Sequence, residues 1–164
     1  MKYFSYYNSP VGELVLLSDG TFLTGLSFYP LEQTLDEYEE NKNLPIFAET
    51  NKWLDLYFDG KQPNFTPSIV FEKGSDFAKS VWRILQKIEY GKTVTYGEIA
   101  RQVAKQQETN GKMSAQAVGG AVGRNPVAII VPCHRVVGAN GKLVGYAGGL
   151  DKKVALLKIE KIIE

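Results

Sequence analysis

The sequence predicts an α/β protein of the α+β kind, made of two lobes. Three observations predict it. The first 30 residues read as strands, the residues after Ser75 read as a succession of helices, and the charge divides at the same place. Residues 1–74 hold 5 Lys/Arg against 11 Asp/Glu, a balance of −6, and residues 75–164 hold 14 against 7, a balance of +7. The expected lobes are 1–73 and 74–164, within the size at which a chain of 164 residues builds one domain or two small units.

Taken in order, FSYY, ELVLLS and FLTGLSFY are aromatic or β-branched runs separated by the turn signals Asn8-Ser9-Pro10-Val11-Gly12 and Asp19-Gly20. LEQTLDEYEENKN is acidic and reads as a short helix and loop. Ile46, Phe47, Trp53, Leu54, Tyr57 and Phe58 recur at helical spacing until Asp59-Gly60 stops them. KQPNFTPSIV, with Pro63 and Pro67, excludes regular helix and reads as the connection between lobes. Ser75 then caps a helix whose apolar face is Phe77, Val81, Ile84, Leu85 and Ile88, expected to run to Gly91. Thr95-Tyr96-Gly97-Glu98 is a capping box for a helix to about Ala104. A polar loop and a third helix, Ser114 to about Gly123, complete the outline of a helix-turn-helix. VAIIV (127–131) reads as a buried strand. A last helix from Leu150 to about Glu160 is expected to turn Leu150, Val154 and Leu157 inward.

Composition narrows the function. At 44% hydrophobic and 23% charged, the chain has the balance of a soluble globular protein. The run VAIIV is too short to span a bilayer, and MKYFSYYNSP lacks the apolar stretch of a secretory signal, so a cytoplasmic protein without membrane contact is expected. One cysteine allows no internal disulfide, and one cysteine with one histidine cannot build a structural zinc site, so no metal is expected. The basic half suggests a polyanionic partner, with solvated charge on both faces as the plain alternative.

The third helix carries Ala115, Ala117, Gly119, Gly120, Ala121 and Gly123, although each glycine costs about 0.5–1 kcal/mol of helix stability. Small residues in that number allow close approach of another helix or of a nucleic-acid backbone. Reading bases in a major groove needs long polar side chains, and Gln116 is the single one here. Any DNA contact should therefore follow shape more than sequence, for example in the minor groove.

VPCHRVVGANG (131–141) sets the only cysteine, Cys133, beside the only histidine, His134. The plain reading is a buried thiol next to an ordinary histidine. The functional one is a nucleophile with a titrating neighbour, since a thiol is inert until its proton is removed or its pKa is lowered. Neighbours on an extended chain point apart, so a direct Cys–His contact needs a turn or a bridging water. Of the carboxylates after the motif (Asp151, Glu160 and Glu164), Glu160 returns toward the core at the end of the last helix and makes Cys–His–Glu plausible. The glycine loop GYAGG (145–149) can bring backbone groups close to a ligand.

VPCHRVVGANGKLVGYAGGLDKK, together with GKTVTYGEIA, AQAVGGAVGRNP and the spacing to Glu160, resembles the methylated-DNA–protein-cysteine methyltransferases, the 6-O-alkylguanine-DNA alkyltransferase repair family. The likeness covers about 85 continuous residues, and more weakly the NSPVG turn and LYFDG. It implies an N-terminal ribonuclease-H-like lobe and a C-terminal winged helix-turn-helix-like alkyltransferase domain. The implied activity is DNA repair by irreversible, single-turnover transfer of an alkyl group from 6-O-alkylguanine to Cys133, with 4-O-methylthymine left open as a second substrate. No cofactor is implied. The implied partner is double-stranded DNA containing alkylated guanine, bound by a monomer that is cytoplasmic and nucleoid-associated when on DNA.

Residue by residue, the resemblance makes Cys133 the alkyl acceptor, His134 the base acting through a water, and Glu160 the carboxylate orienting His134. Tyr96 matches the tyrosine that crowds the flipped nucleotide's phosphate and donates to the guanine ring. Asn125 matches the asparagine tying the recognition helix to the cysteine loop. The carbonyls of Cys133 and Val136 should accept from the guanine amino group, and the Ala147 N–H should reach its oxygen. Arg135 reads as a structural ion pair and Lys153 as an extra charge near the site, grouped with the DNA- and base-contacting residues. The sequence departs from the family at Gln116, where an arginine often fills the gap left by the base. The loop 105–113 is longer than in some relatives, and the zinc ligands that some members carry in the N-terminal lobe are missing. Rival readings are a lesion-binding protein without transfer, a thiol hydrolase with many turnovers, and a plain transcription factor. The last leaves Pro-Cys-His-Arg and the glycine loop unexplained.

Overall fold

The computed structural model describes residues 1–31, 33–107 and 114–164, arranged as two compact units. One comprises Met1–Glu72 with Pro126–Ala128, the other Lys73–Asn125 with Ile129–Glu164.

The first unit is a four-stranded sheet with a helix against it. Strands β1 (Lys2–Ser9), β2 (Gly12–Ser18) and β3 (Leu23–Phe28) form an antiparallel meander, and β4 (Tyr38–Glu40) adds to β1 in parallel, giving the order β3-β2-β1-β4. The β1–β2 turn closes where Gly12 takes φ +114° and its carbonyl accepts from Ser9 Oγ at 2.6 Å. Helix α1 (Pro45–Phe58) starts with proline at its first position and turns Phe47, Leu54 and Tyr57 into the core with Leu14, Leu16, Leu23 and Leu26. One expectation is corrected here. The acidic segment holds a strand, β4, because Tyr38 and its neighbours pair with the edge offered by β1. The proline-containing stretch is irregular but docks on β3, with Leu23 N donating to Ser68 O and Val70 N to Leu23 O.

The second unit groups α2 (Asp76–Leu85), α3 (Tyr96–Gln107) and α4 (Ala115–Gly123), followed by α5 (Leu150–Ile159). Ser75 caps α2 through Ala78 N, and Ser114 caps α4 through Ala117 N. The Thr95–Glu98 capping box closes in both directions: Thr95 Oγ1 accepts from Glu98 N, and Glu98 Oε2 from Thr95 N, each at 3.1 Å. Trp82 Nε1 donates to Ala121 O at 2.8 Å and ties α2 to α4, whose small residues admit the indole. A two-stranded parallel ladder joins β5 (Val94–Thr95) to β6 (Val136–Val137). Residues 108–113 of the expected long loop lie outside the described residues.

Three further expectations change in this unit. Helix α2 ends at Leu85, and a non-helical turn carries the chain from Gln86 to Gly91. In α5 the buried side chains are Lys153, Leu156 and Leu157, while Leu150 is exposed. VAIIV is buried but is not a strand. Val127 bridges to Leu26, and the chain then turns through Ile129 at φ +70°. A buried turn and a buried strand need the same apolar residues, so the composition of the run does not separate them.

Candidate active site

Pro132 leads into a single 3₁₀ turn, Cys133–Arg135, closed by Arg135 N donating to Pro132 O at 3.0 Å. Successive side chains on such a turn diverge by about 120°, so adjacent residues serve different surroundings. Cys133 faces a cavity of about 170 Å³. Tyr96 at the start of α3 and Gly119, Val122 and Gly123 of α4 form one wall. Gly145, Tyr146 and Ala147 of the glycine loop form the other.

His134 points the other way, into the protein, and is fully buried. Its Nε2 lies 2.5 Å from Oε2 of Glu160, which sits just past the end of α5. The second oxygen, Oε1, accepts from Arg135 Nε at 2.8 Å and from the backbone N–H of Gly91 at 3.0 Å. Arg135 also donates from Nη1 to Ile88 O at 2.8 Å, with its guanidinium 5.6 Å from the Tyr90 ring centre. Burial pushes the Glu160 carboxyl up, but the hydrogen bonds and charges of His134 and Arg135 outweigh it and hold the pKa at about 2. Burial pushes the His134 imidazole below its ordinary value, against the pull of Glu160 and with the help of the Arg135 and Lys153 charges.

The thiol is raised by burial, an effect opposed by the Asn125 side chain, the Lys153 charge and the Tyr146 hydroxyl. Burial therefore favours the thiol form of Cys133, which becomes a nucleophile when a base removes its proton. Burial likewise raises the hydroxyls of Tyr96 and Tyr146, so both stay hydrogen-bond donors at neutral pH.

The structure brings Cys133, Tyr96 and Ala147 to the cavity and joins His134 to Glu160 behind it. Asn125 follows α4 and donates from Nδ2 to Val131 O at 2.8 Å, next to the cysteine turn. The Val136 carbonyl already accepts from Lys153 Nζ at 2.6 Å, which leaves its second lone pair for another donor. Gln116 is exposed on α4 and is not among the residues lining the cavity. Lys153 is a correction. Its side chain is fully buried and its ammonium donates to the carbonyls of Val136, Val144 and Gly145, so it is withheld from a DNA surface. Sequence reasoning missed Tyr146 and Gly91. Tyr146 stood inside the quoted glycine loop as its one aromatic residue, a usable signal, whereas a backbone N–H such as that of Gly91 leaves none. Among the described residues no three His, Cys, Asp or Glu side chains gather as a metal site.

A buried thiol with the His134–Glu160 pair behind its turn thus opens on a cavity walled by a small-residue helix, the arrangement of a protein with a reactive-cysteine site. Residues 76–162 match the DNA-binding domain of 6-O-methylguanine DNA methyltransferase, and residues 2–69 match its ribonuclease-like domain. A methylated-DNA–protein-cysteine methyltransferase of Methanosarcina acetivorans is 43% identical over 161 residues, covering 96% of this chain and 97% of its own. One from Haemophilus influenzae is 38% identical, covering 98% and 87%. A crystal structure of Mycobacterium tuberculosis OGT in complex with DNA superposes with a TM-score of 0.86 at 40% identity, over 97% of this chain and 92% of that one. The chain belongs to the 6-O-methylguanine DNA methyltransferase family.

Proposed function

We propose that this protein repairs DNA by moving the alkyl group of 6-O-alkylguanine onto Sγ of Cys133. The observation that carries the reading is the placement of Cys133 at the cavity with the buried His134–Glu160 pair directly behind its turn. His134, on the ring nitrogen that Glu160 does not hold, takes the thiol proton through a water. The thiolate attacks the alkyl carbon, the S–C bond forms, and the C–O bond breaks with its electron pair going to the guanine oxygen. The Ala147 N–H and the Tyr96 hydroxyl stabilise that developing charge, which is where a substitution at carbon gains most from preorganised donors.

A base inside a duplex has to be turned out of the stack to reach Cys133. The small residues of α4 suit close approach to the minor groove, and the +7 balance of residues 75–164 suits a polyanion. The partner is double-stranded DNA carrying alkylated guanine, met by a cytoplasmic monomer that joins the nucleoid when bound. Binding and transfer both belong to residues 74–164, where every proposed site residue falls. The product is a thioether, whose C–S bond no ordinary cellular reductant reverses, so each molecule acts once. No cofactor enters the scheme.

The test is the number of turnovers. With excess duplex bearing 6-O-methylguanine, the repaired lesions should level off at one per protein molecule. Cys133→Ala should repair none while still binding the lesion. Continued turnover would favour a hydrolase, and unrepaired but tightly bound lesions in the wild type would favour a recognition protein.

A further inference from the structure

We propose that Arg135, anchored by the Ile88–Gly91 turn, is a positioning residue that fixes the Glu160 carboxylate and shares its charge, so that His134 serves as a proton acceptor. This rests on the reading of His134 as the base. Glu160 divides its oxygens: Oε2 meets His134, and Oε1 meets Arg135 Nε and the Gly91 N–H. A buried carboxylate serving an imidazole alone favours the charged imidazolium, which has no lone pair left to take a proton. A guanidinium stays charged throughout the physiological range. With Arg135 on Oε1, the carboxylate charge is already compensated before His134 draws on it.

The arrangement is built from three sides. Arg135 Nη1 donates to Ile88 O, the guanidinium lies against the Tyr90 ring, and the Gly91 N–H completes Oε1. Ile88, Tyr90 and Gly91 all belong to the turn after α2. Gly91 holds φ +79°, a backbone conformation that other residues rarely adopt, so the N–H is aimed by a glycine-specific turn. Among the described residues, the charges bearing on His134 are Glu160 and Lys153 from α5 and its end and Arg135 from its own turn, with Tyr90 facing Glu160 and Arg135. Glu160 is the one carboxylate among them, set against two cations.

The chain's single histidine gives one imidazole signal by NMR, so its protonation is read directly. In the wild type the midpoint should lie below the ordinary 6.5. In Arg135→Gln it should rise by about one pH unit or more. The acid limb of the single-turnover methyl-transfer rate should move up with it, and Arg135→Lys should restore most of both. A folded Arg135→Gln whose midpoint and acid limb stay at the wild-type values overturns the proposal, as does a rate lowered equally at every pH. Should that variant not fold, a wild-type midpoint at or above 6.5 overturns it without any substitution. A wild type that transfers no methyl group defeats the proposed function, whereas a transferring wild type with an unmoved limb in Arg135→Gln defeats only the role of Arg135.

Discussion

Lys153 Nζ lies 2.6 Å from the carbonyl oxygen of Val136, three residues beyond Cys133. The same ammonium donates to Val144 O at 3.1 Å and Gly145 O at 3.2 Å. One side chain of α5 thus fastens the cysteine turn to the glycine loop, the two segments that hold the cavity's thiol and its far wall. A buried ammonium is tolerated because each of its three N–H groups meets a carbonyl.

Lys153→Met keeps the apolar stem and removes all three contacts. Hydrogen bonds from a charged donor contribute about 1.5–3 kcal/mol each, partly redundant, so the variant should lose about 3 kcal/mol of unfolding free energy in urea titrations. The Cys133 thiol should titrate higher once the nearby charge is gone, read from thiolate absorbance against pH. The salt dependence of DNA binding should not change, since the ammonium is not on the surface.

Glu160 and His134 set the acid stability. The Glu160 carboxyl is held at about 2 in the fold against an ordinary 4.5, so its stabilisation is complete above 4.5 and lost as pH falls toward 2. That contribution is on the order of 3 kcal/mol. His134 is depressed by burial, so below 6.5 the unfolded chain takes up a proton that the folded chain resists, which also lowers stability on the acid side. Denaturant titrations should show a stability level above pH 7 and a decline that begins near 6.5 and steepens below 4.5. The steep part should be absent from Glu160→Gln.

Much of this site was legible because its signals are local. The Cys133–His134 pair, the Thr95–Glu98 capping box and the small-residue run 115–123 each lie within a few residues of chain. Glu160 was reachable because a helix of regular length returns it to the core. What escaped depends on backbone or on burial that composition does not encode. VAIIV became a turn through the left-handed Ile129, and α2 stopped six residues short of Gly91. Lys153 read as an extra charge near the site, among the DNA- and base-contacting residues, because lysine is seldom fully buried and no pattern in the sequence announces three converging carbonyls.

Gly123 closes α4 beside the cavity, and a Cβ built there meets nothing within 4 Å. Gly123→Ala should therefore raise stability by about 0.5–1 kcal/mol through helix propensity. It should also slow transfer of a benzyl group more than a methyl group, compared by single-turnover rates, because the added methyl occupies space at the cavity wall.

Gln116 stands exposed on α4 without charge. Gln116→Arg should leave the transfer rate at saturating DNA unchanged and tighten DNA binding. It should steepen the dependence of log affinity on log salt by about one, the value for one added phosphate contact. Binding isotherms at several salt concentrations measure this, and loss of binding or transfer would contradict it.

The proposed acceptance of the alkyl group by Cys133 is tested most directly by mass spectrometry of the intact protein and of its peptides after mixing with a duplex containing one 6-O-methylguanine. The predicted result is a gain of one methylene on the peptide containing Cys133, saturating at one per molecule. An unchanged peptide mass after the lesion has been bound, or after it has been repaired, would contradict it.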